Sequence, residues 1–135
     1  MTVRFAHTMI RVASLEKSTD FYVRMMGLTI LRRTDYVDGR FTNLFLGSKE
    51  EYAGPALELT FNWDHSGLYE KGTAWGHLAF EVDDLVGCVN RLRAEGVFVS
   101  REPGPMKGSP FRIAFVRDPD GYAIELLERL EEGGD

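Results

Sequence analysis

The chain has 135 residues, 44% of them hydrophobic, with 16 Lys and Arg against 21 Asp and Glu for a formal net charge of −5. That length suits one domain with a proper core, and the negative charge gives no electrostatic support to a nucleic-acid or membrane-surface partner. No apolar run approaches the ~20 residues of a membrane helix, the start lacks a signal-peptide layout, and Cys88 is the single cysteine, which leaves no internal disulfide and favours a cytoplasmic protein.

Residues 4–12 read as a strand. Ser14 is a suitable N-cap for a helix over 15–26, in which Leu15, Phe21, Tyr22 and Met25 form an apolar stripe and Gly27 supplies the stop. Strands are predicted near 28–34, 40–47 and 55–62. A linker spans 63–75. The second half begins with a strand at 76–83 and a helix at 84–95, with Asp84 as cap and Gly96 as stop. Strands follow near 97–101, 111–117 and 122–128. Turns are expected at Val37-Asp38-Gly39, Pro103-Gly104-Pro105 and Asp118-Pro119-Asp120-Gly121. The tail, 129–135, ends in a polar, Gly-rich stretch and is expected to fray. The fold class is therefore α+β: a single domain of two βαβββ modules, about 3–62 and 76–128.

The two modules repeat one another. At an offset of 70, His7 meets His77, Val12 meets Val82, Leu15 meets Leu85 and Phe45 meets Phe115. Gly27 meets Gly96 if one residue is dropped, and Glu58 meets Glu125 at an offset of 67. The His-to-Glu separation is 51 residues in the first half and 48 in the second. Two copies make a duplication within a domain, not a solenoid.

Strand alternation places these residues. His7, Met9 and Arg11 share one face, as do Ala56, Glu58 and Thr60, while Leu57, Leu59 and Phe61 point to the core. In the second half His77, Ala79 and Glu81 share a face, as do Ala123, Glu125 and Leu127. A curved sheet with such a face makes a cup, and two facing cups make a pocket. Taken singly, a strand His or Glu is usually hydrogen-bonded or solvated; the doubling is what points to a symmetric site. Two imidazoles and two carboxylates hold a divalent cation and leave coordination positions for a substrate. His65 has no repeat partner and reads as a surface loop residue. Cys88, opposite Ser18, reads as a small helix residue rather than a nucleophile.

The blocks HTMIRV, STDFY, LELTFNW, GTAWGH, EPGPMKG and AFVRDPDGYAIELLE resemble the vicinal oxygen chelate superfamily, and within it the glyoxalase I (lactoylglutathione lyase) family in its short bacterial form. The resemblance covers the chain from Arg4 to about Glu128. It implies that His7, Glu58, His77 and Glu125 bind the metal, with nickel favoured and cobalt or zinc as alternatives. It implies isomerisation of the methylglyoxal–glutathione hemithioacetal to S-lactoylglutathione, with glutathione as co-substrate. Glu125 matches the family's catalytic carboxylate, and Glu58 is its pseudo-symmetric counterpart. Arg11, Asn62 and Lys107 match glutathione-contacting positions. The short bacterial form also implies a homodimer in which each site draws His7 and Glu58 from one chain and His77 and Glu125 from the other.

The chemistry suits those residue types. Moving hydrogen from C1 to C2 of a hemithioacetal passes through an enediolate, whose developing charge a dication stabilises. A carboxylate must carry the proton between the carbons. Two departures from the family pattern concern the thiol: Thr73 stands where long forms carry an Arg, and Glu81 occupies the repeat position of Arg11. Alternatives are a related isomerase or epimerase acting on another thiol, an iron-dependent ring-cleaving dioxygenase, and a non-catalytic small-molecule-binding protein of the same fold. A dioxygenase uses two His and one carboxylate, so the extra Glu58 speaks against it.

Overall fold

A computed structural model describes residues 1–48 and 54–130. The chain divides into two compact units, Met1–Glu70 and Lys71–Asp135. The first contains β1 (His7–Arg11), α1 (Leu15–Thr19) continuing as a π-helical segment over Asp20–Met25, β2 (Thr29–Tyr36), β3 (Phe41–Gly47) and β4 (Ala56–Asn62). The second contains β5 (Leu78–Glu81), α2 (Leu85–Ala94), β6 (Val99–Pro105), β7 (Phe111–Arg117) and β8 (Ala123–Arg129). Each unit builds a four-stranded mixed sheet, in the orders β1-β4-β3-β2 and β5-β8-β7-β6. The first and last strands of each unit pair in parallel, and the other pairs are antiparallel. The βαβββ pattern is present twice.

Alternation decides what each sheet buries. In the first unit Ile10, Leu44, Leu46, Leu57 and Leu59 are buried together with Phe21 and Tyr22 of the helical segment. In the second, Ala114, Val116, Ile124 and Leu126 are buried with Leu85, Val89 and Leu92 of α2. Cys88 is buried on the same helix, and desolvation pushes its thiol pKa up, against a smaller lowering by Arg91. A neutral buried thiol is a packing residue, as expected.

Local signals position the helices. The Ser14 side chain accepts from Lys17 N at 3.1 Å, and the Asp84 side chain accepts from Gly87 N at 3.0 Å. Gly27 and Gly96 adopt φ of +83° and +88°, the left-handed conformation that ends a helix. Asp118 Oδ1 accepts from the backbone of Asp120 and Tyr122, both at 2.9 Å, which fixes the expected turn there. The loop at 37–40 closes the β2–β3 hairpin, where Tyr36 pairs with Phe41.

Several boundaries differ from the sequence reading. The helix over 15–26 is α-helical only to Thr19; the wider π turn accommodates the adjacent Phe21 and Tyr22, which are both buried and meet edge to face at 4.8 Å. Pro103-Gly104-Pro105 is not a turn but the end of β6, an edge strand whose register shifts between Arg101 and Gly104. Proline is tolerated at such a place because edge strands and bulges leave ladder donors unused. The first strand of each unit is shorter than predicted, and His77 lies just before β5. β8 extends through Arg129, one residue into the predicted tail. The expected fraying of Glu131 to Asp135 falls outside the described residues.

Candidate functional site

In the first sheet His7 pairs with Ala56, Met9 with Glu58, and Glu58 with Phe45 of β3. All project from the face opposite the core. His7 Nε2 lies 2.9 Å from Glu58 Oε1, with side chains 42% and 10% exposed. The Phe45 ring meets the imidazole edge to face at 5.4 Å. In the second sheet Ala79 and Phe115 flank Glu125 in register. His77 Nε2 lies 3.2 Å from Glu125 Oε1, and Phe115 meets the His77 ring at 5.3 Å. Each unit thus carries the same His–Glu–Phe set.

The fit to a cation can be tested on these distances. Two ligands at about 2.1 Å from one ion stand about 3.0 Å apart on an octahedron and about 3.4 Å apart on a tetrahedron. The separations of 2.9 and 3.2 Å are those of neighbouring ligands. A neutral imidazole nitrogen and an ionised carboxylate suit a borderline divalent metal. Within neither unit does a third His, Cys, Asp or Glu among the described residues complete a ligand group. Each pair fits two neighbouring positions around a divalent metal.

The residues around the two carboxylates differ. Thr60, paired with Asn43 across β3, places its hydroxyl 3.2 Å from Glu58 Oε2 and 2.9 Å from Asn43 Oδ1. At the corresponding place in the second sheet, Leu127 pairs with Ile113. A cavity of about 310 Å³ opens beside His7, lined also by Ala6, Leu31, Arg32, Phe45 and Ala56. Arg32 stacks over Phe45 at 4.2 Å. A larger cavity of about 670 Å³ is lined by Ser14, Thr19, Asp35, Thr42 and Phe61 and includes none of the candidate residues. Of the four candidate ligands, His7 lines the smaller cavity.

A sequence profile described as the Glyoxalase/Bleomycin resistance protein/Dioxygenase superfamily matches residues 4–126. The Neisseria meningitidis serogroup A protein named lactoylglutathione lyase is 50% identical over 127 residues, covering 94% of this chain and 91% of its own. The chain belongs to the lactoylglutathione lyase (glyoxalase I) family. Solved glyoxalase I structures agree. That of Zea mays superposes with a TM-score of 0.86 at 38% identity, over 95% of this chain but 45% of the maize chain. This chain therefore spans less than half of the maize protein. The Leishmania major enzyme, described as trypanothione-dependent, gives a TM-score of 0.83 at 38% identity, covering 94% of this chain and 87% of the other. The two modules are a glyoxalase fold.

The expected substrate contacts fall in different places. Arg11 ends β1 opposite Thr60, and Asn62 ends β4, both on the face that carries Glu58. Asn62 Nδ2 donates to the Tyr69 hydroxyl at 3.0 Å. Lys107 is exposed in the turn between β6 and β7. Thr73 is exposed in a turn before His77, and Glu81 is exposed at the end of β5. His65 stacks on Tyr69 at 3.8 Å, its Nε2 3.0 Å from Gly67 O. Sequence reasoning did not single out Asn43 as a neighbour of Glu58, nor the ring contacts of Phe45 and Phe115. The shared offset of 70 for the two Phe was the available signal.

Proposed function

We propose that the chain isomerises the hemithioacetal of methylglyoxal and glutathione to S-lactoylglutathione, with His7, Glu58, His77 and Glu125 holding a divalent metal. The observation that carries this is the His–Glu–Phe set, repeated in both sheets with nitrogen-to-oxygen separations of 2.9 and 3.2 Å, in a member of the lactoylglutathione lyase family. When bound, the cation supplies positive charge against the negative charge that builds on two adjacent substrate oxygens. Glu125 takes the proton from C1 and returns it to C2. Glu58, the equivalent carboxylate of the first sheet, takes that part for the opposite hemithioacetal stereoisomer. Arg11 and Lys107 bind glutathione carboxylates. Asn62, its amide nitrogen committed to Tyr69, keeps its oxygen for the glutathione ammonium.

Nickel, a homodimer that shares its sites, and a cytoplasmic location belong to the same reading. Nickel is favoured over zinc because four protein ligands and two substrate oxygens make six positions, whereas zinc favours four. The test is chelation followed by readdition. Demetallated protein should keep its circular dichroism, since the apolar cores form without an ion, and should lose lyase activity. Nickel or cobalt should restore it better than zinc. Full turnover by metal-free protein would overturn the reading.

A further inference from the structure

Thr60 stands between two acceptors. Its hydroxyl has one proton, yet it lies 2.9 Å from the Asn43 amide oxygen and 3.2 Å from Glu58 Oε2. It cannot donate to both. The oxygen and nitrogen of an amide are alike in size, and exchanging them removes the conflict. The Asn43 nitrogen then donates to Thr60, whose hydroxyl proton is released to the carboxylate. Thr60 and Glu58 are each 8% exposed, so water competes poorly for either group.

We propose that this relay, from Asn43 through Thr60 to Glu58, makes Asn43 and Thr60 positioning residues that tether Glu58 as a metal ligand in the resting site. Glu58 then has both oxygens assigned, Oε1 to the His7 side and Oε2 to Thr60. The second sheet has no such device. Leu127 and Ile113 stand where Thr60 and Asn43 stand in the first, and their side chains have no hydrogen-bond donor. Among the described residues, Glu125 has His77 as its side-chain partner and no hydroxyl or amide donor. The duplicated sites have diverged in the row beside the carboxylate, so that Glu58 is tethered by a side-chain donor and Glu125 is not.

The inference rests on the metal reading above, and its test separates the two. Wild-type protein, Thr60→Val, Thr60→Ser and Asn43→Leu are loaded with nickel, and transfer of the metal to a chromogenic chelator is followed alongside thermal stability, kcat and KM. Valine keeps the shape and β-branching of threonine and removes only the donor. Thr60→Val should lose roughly 10–100-fold in nickel affinity, the usual effect of removing a hydrogen bond behind a ligand. Thr60→Ser should bind within about threefold of wild type, and Asn43→Leu should fall between, a rank order that general loosening of the sheet would not give. Thr60→Val that retains nickel as wild type does overturns the relay and leaves the metal reading standing. If Thr60→Val does not fold, unchanged affinity in Asn43→Leu overturns it instead. Wild-type protein that binds no nickel, cobalt or zinc removes the metal reading and the relay together.

Discussion

Glu58 and Glu125 occupy matching places in their sheets, each opposite a phenylalanine and beside an imidazole, yet one has Thr60 and Asn43 for company and the other Leu127 and Ile113. The assignment of Glu125 as proton carrier is therefore open to a sharp test. Glu125→Gln keeps size and shape and removes the base. It should fold normally and lose roughly 10²–10⁴-fold in kcat. A loss smaller than about tenfold, which is ~1.4 kcal/mol of barrier, would move the role to Glu58. The four His and Glu candidates were legible in the sequence because duplication left each with a twin at nearly constant offset. The Thr60–Asn43 contact was not. It depends on cross-strand register, and a one-residue slip of β3 against β4 would have put Asn43 on the core side.

At the scale of elements, caps and stops were legible because they are local: Ser14, Asp84, Gly27 and Gly96 act through bonds or dihedrals within a few residues. Pro103-Gly104-Pro105 misled because the same dipeptides serve a turn or a bulged edge strand, and only the neighbouring strand decides. The cap of α2 yields a non-additive prediction. Asp84→Ala removes the bond to Gly87 N and should cost about 1 kcal/mol by urea denaturation. Gly87→Ala would ordinarily stabilise a helix by about 1 kcal/mol. Here the new Cβ would collide with the capping carboxylate of Asp84, so Gly87→Ala alone should gain little or lose stability. In the Asp84→Ala background the collision is gone, and the same substitution should stabilise by roughly 0.5–1 kcal/mol. Equal effects in the two backgrounds would mean that the cap and the glycine are uncoupled.

For the whole molecule, the decisive fact is that each compact unit carries one close His–Glu pair. A four-ligand centre needs two such contributions, and the proposed homodimer supplies them from different chains. Symmetry makes this testable by complementation. His7→Ala and Glu125→Ala should each be inactive alone. In a heterodimer of the two, with sites shared across chains, one site receives both lesions and the other receives none. Purified heterodimer should then show about half the activity of wild-type dimer per mole, and hold about one nickel ion where wild type holds two. If each site is instead built within one chain, every site in the heterodimer carries one lesion and activity does not return. The metal count adds a second readout, because a shared-site heterodimer retains a fully liganded centre even if its turnover is slowed by the damaged neighbour. A heterodimer verified by differential tagging that stays inactive and holds no tightly bound nickel would assign the centre to single chains.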